Sequence, residues 1–192
     1  MKLKLITPPA EEPVNLAEAK AQLRIDSTSE DAVLLGYLKT AREDAETILR
    51  RAILTQTWDI FLKAFPGAAS IRLPLPPLQS VTGVYYTPDG GTEQTYASTN
   101  YIVDIYDEPG KIVLKSTASW PGDDLQPVNG VRVRFVAGWA GASLVPERIR
   151  TWILLTCGLY YENRELASEF RTRPVMLPHV DSMLEDLRMR IF

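Results

Sequence analysis

The 192-residue chain has one cysteine, Cys157, and one histidine, His179. A single cysteine excludes an internal disulfide framework and any multi-cysteine zinc or iron–sulfur site, and a single histidine excludes the usual multi-histidine metal centres. Long hydrophobic runs are also lacking: the longest, Ala32–Leu35 and Trp152–Leu155, fall far short of a membrane span. The opening Met1–Pro13 has two lysines but no apolar stretch before Pro8-Pro9 and Glu11-Glu12, so it does not read as a signal peptide. Nor is there an excess of positive charge. Lys plus Arg is 21 against 24 Asp plus Glu, a net charge of -3, which argues against a protein whose main task is gripping nucleic-acid phosphates. What is there, 45% hydrophobic and 23% charged residues, suits a globular protein with a real core.

Periodicity divides the chain into three parts: 1–52 helical, 53–141 β, and 142–192 helical again. Asn15, three residues before Glu18, has capping-box spacing for a first helix carrying Leu16, Ala19 and Leu23. Ser27, Thr28 and Ser29 before Glu30-Asp31 signal a second start. There, Leu34, Leu38, Ala41, Ala45 and Ile48 form an apolar stripe at steps of four, three, four and three. Its opposite face would carry Lys39, Arg42, Glu43, Asp44, Glu46 and Arg50.

In the middle part the period becomes two. Trp58, Ile60 and Leu62 alternate with Asp59, Phe61 and Lys63, and Ile71, Leu73 and Leu75 follow at the same spacing. Further runs are Val81–Tyr86; Tyr101, Val103 and Ile105; Ile112 and Leu114; and Val131, Val133 and Phe135 around Arg132 and Arg134. Such runs predict six or seven half-buried antiparallel strands, enough for a small sandwich or barrel. Pro88-Asp89-Gly90-Gly91 and Glu108-Pro109-Gly110 mark turns, while Pro74, Pro76 and Pro77 confine their stretch to an edge or crossover. The third part opens with Ser143 and Pro146 as a helix start, continues through a helix apolar on most faces (Ile149–Tyr161), breaks at Arg171–Pro178, and resumes with Val180, Met183, Leu184, Leu187 and Ile191 at helical spacing. The fold expected is α+β: a four-helix bundle built from both ends of the chain, with an inserted antiparallel β domain.

No catalytic constellation emerges. Neither Pro88–Gly91 nor Ala137-Gly138-Trp139-Ala140-Gly141 has the spacing or the lysine of a phosphate loop, and the second reads as a strand-to-helix turn. His179 lacks a nameable partner, and Cys157 lies in the most apolar helix as a small core residue. Glu162 and Glu165 share a helix face but sit among Asn163 and Arg164, as a salt-bridge cluster would. Asp107-Glu108 and Asp123-Asp124 lack the ligand series of a calcium loop. Trp58, Tyr85, Tyr86, Tyr96, Tyr101, Tyr106 and Trp120 would suit sugar binding or cross-strand packing. No catalytic turnover, metal or cofactor is therefore expected.

The order of short phrases is more specific than any one of them. Ile6-Thr7-Pro8-Pro9, Glu12–Lys20 and Leu23–Asp26 lead to Glu30-Asp31; then come Arg51-Ala52, Thr55–Trp58, Leu73–Val81, Tyr101–Asp104, Pro109–Ile112, Trp120-Pro121, Val131–Gly138, Val145-Pro146 and Tyr161–Glu165. From about residue 6 to 166 the chain resembles the longer type of tailed-phage head–tail connector, related to the smaller all-helical adaptors, with the β insertion as the feature of the longer type. The resemblance implies a structural virion protein, made in the host cytoplasm and resident in the neck of a phage, prophage or gene transfer particle. Such adaptors form a ring, commonly of twelve copies, between the portal protein and the tail-completion (stopper) protein. DNA passes through the lumen unread, and no membrane is involved. The competing class is a carbohydrate- or ligand-binding β module or a small soluble enzyme.

Two surfaces are candidates for assembly. Arg42, Glu43, Asp44, Glu46, Arg50 and Arg51 carry both signs and would suit lateral pairing between subunits of a ring, a heterologous contact that closes by rotation. Val175, Met176, Leu177, Met183, Leu184, Leu187, Arg188, Arg190, Ile191 and Phe192 would dock on the portal, a role the resemblance supports for the C-terminal region. The alternative is that 180–191 packs back as the fourth helix.

Overall fold

The fold is described from a computed structural model, in which the described residues are 1–122, 124–163, 180 and 182–189. The chain makes two compact units: Met1–Ala10 with Thr55–Ala140, and Glu11–Leu54 with Gly141–Phe192.

The first unit is antiparallel β. Strands β1 (Lys2–Thr7), β2 (Gln56–Leu62), β4 (Leu78–Tyr86), β5 (Gln94–Tyr96) and β8 (Val131–Ala137) form one sheet in the order β1-β2-β8-β4-β5. Strands β3 (Ser70–Arg72), β6 (Tyr101–Asp104) and β7 (Lys111–Leu114) form a second, in the order β3-β7-β6. Alternation is clearest in β8, where Val131, Val133, Phe135 and Ala137 are buried and the residues between them half-buried. Trp58 and Ile60 of β2 stand opposite Phe135 and Val133, so one face of the large sheet is a continuous apolar layer. Ile71 and Ile112 bury the inner face of the small sheet. Both turns fall where the sequence puts them: 88–91 joins β4 to β5, with Gly91 N–H donating to Pro88 O at 3.0 Å and Gly90 at φ 66°, and 108–110 joins β6 to β7. The proline stretch is the crossover from the small sheet to the large one.

The first residues depart from expectation. Lys2–Thr7 lies within the part read as helical, yet it pairs with β2, Leu3 opposite Ile60 and Leu5 opposite Trp58. Lys-Leu-Lys-Leu is itself a period-two pattern, and an edge strand needs only one partner. At the other boundary, Ala52, Ile53 and Leu54 are buried and go with the helices.

The second unit holds helices α1 (Leu16–Leu23), α2 (Asp31–Leu49) and α3 (Glu147–Glu162). The capping box is present: Asn15 Oδ1 accepts from Glu18 N–H at 2.9 Å, and Glu18 Oε2 accepts from Asn15 N–H at 2.8 Å. Glu30 is the cap residue of α2 and makes no side-chain cap bond, while Ser27 Oγ accepts from Ser29 N–H in the turn before it. Pro146 precedes α3 as its cap residue, and Ser143 sits in a short 3-10 turn. Packing joins all three helices around Leu34, Leu38, Ile149, Trp152 and Ile153. The buried stripe of α2 ends on Leu49, not Ile48, which is 39% exposed, and Arg42 lies within the buried set. The fourth helix is not described as such: Val180 and Leu184 are buried, and Glu185–Leu187 is a 3-10 turn.

Gly130, just before β8, tests how tightly the β unit is packed. A Cβ there would stand 2.5 Å from Lys63 O, a backbone atom, whereas a Cβ at Gly67 meets nothing within 4 Å. Gly130→Ala is expected to lower stability by about 1–3 kcal/mol and Gly67→Ala to change it by no more than about 0.5 kcal/mol, read as urea midpoints of the two variants.

Candidate assembly surfaces

The charged set on α2 is mostly used within its own subunit. Arg42 is 3% exposed. Its Nε donates to Glu12 Oε2 at 2.8 Å, and its Nη1 to Glu46 Oε2 at 2.8 Å. Burial works against that charge, and the hydrogen bond to Glu12 with the surrounding carboxylates outweighs it, so the guanidinium pKa is raised. Glu46 also accepts, through Oε1, from Ile53 N–H at 2.9 Å, fixing the chain just past the helix. Asp44 accepts from the Tyr160 hydroxyl, whose pKa is pushed up to about 12, first by burial and then by that carboxylate. Arg51 Nε donates to Leu187 O at 2.6 Å. The expectation of Arg42 on an outer face is thereby corrected: the helix turns it inward, where two carboxylates compensate its charge. Glu43 and Arg50 remain exposed.

A second network joins α3 to α1. Arg150 Nη2 donates to Glu18, its Nη1 to Glu147 at 3.0 Å, and its Nε to Pro13 O at 3.1 Å. Glu18 thus serves the helix cap and this ion pair with different oxygens.

Of the C-terminal candidates, Val175, Met176, Leu177, Arg190, Ile191 and Phe192 lie outside the described residues. Leu184 is fully buried, Met183 and Leu187 are half-buried, and Arg188 is exposed. Met189 N–H donates to Leu49 O at 2.8 Å. Leu184 therefore serves its own subunit's core in this structure, which corrects its assignment to a free apolar surface. Glu165 and His179 also lie outside the described residues, as does Asp123; Glu162 is exposed.

In the β unit, the polar face of the large sheet gathers Asp59, Arg132, Arg134 and Glu93. Asp59 is 2% exposed and accepts from Arg134 Nε and Nη2, both at 2.8 Å, with Arg132 Nη1 at 3.4 Å. Burial would raise the Asp59 pKa, but the hydrogen bonds and charges of the two arginines hold it below the ordinary carboxylate range. Arg132 also pairs with Glu93 and lies 4.0 Å over the Tyr85 ring. The arginines are thus already matched by carboxylates. The aromatics are used in packing: Phe65 stacks on Trp120 at 4.9 Å, Tyr96 stacks on Tyr101 at 6.1 Å, and the Trp120 indole N–H and Tyr96 hydroxyl donate to Ala68 O and Ser119 O. Tyr106 differs, being 93% exposed. Period two put Ile105 on an inward strand face, yet β6 ends at Asp104 and Ile105 is 41% exposed in the turn.

Among the described residues no three His, Cys, Asp or Glu side chains are grouped to hold a metal ion, and no helix is long and apolar enough to cross a membrane. Cys157 is buried, and burial raises its thiol pKa.

Residues 13–85 match the family model described as phage gp6-like head-tail connector protein. That stretch is less than half of the chain, and it runs from the first helix into β4. No curated protein matches. Among solved structures, the chain is similar to one from the neck of an empty gene transfer agent particle computed with C6 symmetry, at TM-score 0.81 and 24% identity, covering 100% of this chain and 98% of the other. It is similar to one from the virion of a native gene transfer agent particle at TM-score 0.80 and 24% identity, and to one from the neck of the native particle computed with C12 symmetry at TM-score 0.79 and 22% identity, with the same coverage. The chain thus resembles a head–tail connector, and it shares its α+β fold with these neck proteins along its whole length.

The Arg42 cluster generates a test of its internal role. Arg42→Ala removes the cation that Glu12 and Glu46 hold in this cluster and is expected to cost about 3–5 kcal/mol. Glu43→Ala removes a 3.4 Å contact to a largely exposed carboxylate and is expected to cost no more than about 0.5 kcal/mol. Thermal unfolding of both variants reads the difference.

Proposed function

We propose that this chain is a structural head–tail connector of a tailed phage or phage-like particle, located in the virion neck as a ring between the portal protein and the tail-completion protein. The observation that carries this reading is the coincidence of two comparisons: the connector family model over 13–85 and neck-protein folds covering 100% of the chain at TM-scores near 0.8. Its role is assembly, not catalysis. DNA passes through the lumen without sequence-specific contact. The net charge of -3 supports a conduit, because a lumen that held phosphates tightly would oppose passage.

The portal contact belongs, on this reading, to the C-terminal segment, of which Arg188 is an exposed described member. The resemblance to adaptors that engage the portal through this region supports it. Glu43 and Arg50, the exposed members of the α2 set, are its lateral candidates.

Size-exclusion chromatography of the full chain with the portal protein of its own particle tests the reading. Co-elution at ring mass is expected, and a 21.5 kDa monomer that ignores the portal would contradict it. Deleting residues 190–192 spares Leu184 and the Met189–Leu49 hydrogen bond. This truncated chain is expected to keep its unfolding midpoint and lose portal binding at least tenfold. Unchanged binding would remove the tail from the contact.

A further inference from the structure

Two strands of the β unit close their sheets with a backbone edge that no further strand of the described residues takes up: β1 ends the large sheet and β6 ends the small one. Such an edge is a template for a strand from another chain. Leu3 and Leu5 of β1 are each 41% exposed and Ile102 of β6 is 57% exposed. The two edges lie apart. Tyr101 of β6 stacks on Tyr96 of β5, and β1 is four strands from β5 in the large sheet, about 19 Å at ordinary strand spacing. They cannot pair within one subunit.

Alternate residues of an antiparallel strand turn both N–H and C=O to the same neighbour, so one bond fixes the phase of a ladder. Lys115 N–H donates to Asn100 O at 3.0 Å, in line with the β6–β7 register. Ile102 and Asp104 therefore turn their backbone groups to β7, and Val103 turns its own to the open edge. Leu114 N–H donating to Ala69 O at 2.8 Å, towards β3, agrees with this phase. In the large sheet, Thr87 N–H donates to Gly130 O at 2.9 Å, in line with the β4–β8 register. Val131 and Val133 then face Leu62 and Ile60 of β2, and Asp59 and Phe61 are left to face β1. Their partners are Lys4 and Lys2. Leu3 and Leu5 thus hold the backbone groups that turn to the open edge of β1.

This phase sorts the side chains of any strand added there, because residues paired across a ladder share a face. With β6 of a second copy laid antiparallel, Leu5 falls opposite Val103 and Leu3 opposite Ile105. Both pairs lie on the side of buried Ile60 and Ile112, the cross-strand partners of Leu3 and Val103. Lys4 falls opposite Asp104 on the other side, in the closer, non-hydrogen-bonded position; Asp104, which pairs with Lys111 at 3.5 Å, would then lie between two lysines. Two copies of β1 laid together would instead set lysine opposite lysine, which is unfavourable. The favoured contact joins two different edges. It is heterologous, and its repetition closes a ring.

We infer that β6 of one subunit adds as a strand to β1 of the next copy of this chain, with Val103 and Ile105 beside Leu5 and Leu3 and Asp104 beside Lys4. This rests on the connector reading and names a lateral contact for it. The C6 and C12 symmetry of the similar neck structures is in keeping with a repeated contact of this kind.

The test uses the full chain with its portal protein, followed by mass photometry and by oxidation, quenching and denaturing electrophoresis. Leu3→Pro removes an N–H that the β1–β2 ladder does not use. It is expected to stay folded by circular dichroism and to need at least tenfold more protein to form ring-sized species. In the chain carrying both Leu5→Cys and Val103→Cys, pairing brings the two Cα atoms to about 5.5 Å, within disulfide reach. Oxidation is expected to yield a ladder of covalent oligomers, since Cys157 is buried, and Leu5→Cys alone is expected to yield none. Rings of the double-cysteine chain that oxidise only to monomers, covalent dimers of Leu5→Cys alone, or rings of folded Leu3→Pro at the wild-type concentration each overturn this contact and leave the connector reading standing. A wild-type chain that forms no ring with portal present overturns the connector reading, and this contact with it.

Discussion

The pairing of β2 with β8 is the constraint on which the architecture depends. The β unit is spliced into a helical unit whose two stretches, Glu11–Leu54 and Gly141–Phe192, are far apart in sequence. Antiparallel register sets Gln56 opposite Ala137, so the insertion begins and ends at neighbouring points. Gln79 Nε2 ties the same place, donating to Thr55 Oγ1 at 2.8 Å and Gly138 O at 2.7 Å, while Thr55 Oγ1 donates to Trp139 O at 3.3 Å. Closing a flexible loop of that length would cost about 4 kcal/mol from its length-dependent part alone. A folded insertion with adjacent ends meets that cost within its own cooperative structure, and α3 can then return to α1 and α2.

Charge is handled alike in both units. Arg42 in the helices and Asp59 in the sheet are each almost fully buried, and each is held at 2.8 Å by oppositely charged side chains with a further one at 3.4 Å. Removing one member of such a set leaves a buried charge uncompensated, which is why these groups constrain the fold more strongly than exposed pairs do. They also use up charges that a linear reading assigns to the surface. What is left outside includes Leu3 and Leu5 on β1 and Ile105 and Tyr106 on the β6–β7 turn, all exposed. On the connector reading, the subunit's buried ion pairs serve its own fold, Arg42 within the 11–54 stretch and Asp59 between β2 and β8, and exposed side chains are left to join it to its neighbours.

How far the sequence shows all this depends on the range of the interaction concerned. Asn15 with Glu18, the α2 stripe from Leu34 to Ala45, the alternation of β8 and both turns are local patterns, and each is present in the structure. The ordered phrases from Ile6 to Glu165 made the connector resemblance visible before any geometry. The departures come from partners distant in sequence. Lys2–Thr7 is a strand because β2 offers an edge fifty residues on. Arg42 is buried because Glu12, thirty residues earlier, reaches it. Leu49 replaces Ile48 in the buried set, and Met189 N–H bonds to Leu49 O from far along the chain. Ile105 continues an alternation that the backbone abandons at Asp104, because that carboxylate captures the amides of Tyr106 and Asp107. Periodicity sees neither a remote partner nor a side chain that ends a strand.

The central claim is that this chain is a ring component of a particle neck. Symmetry-resolved electron cryomicroscopy of purified particles from the host that encodes it, with the neck reconstructed separately from the head, tests this most directly. The account predicts a ring of repeated densities next to the portal, each fitted by the eight strands and three helices described here, with consecutive copies related by one rotation. A neck whose density is fully accounted for by other chains, in particles from which this protein is absent by mass spectrometry, would contradict it.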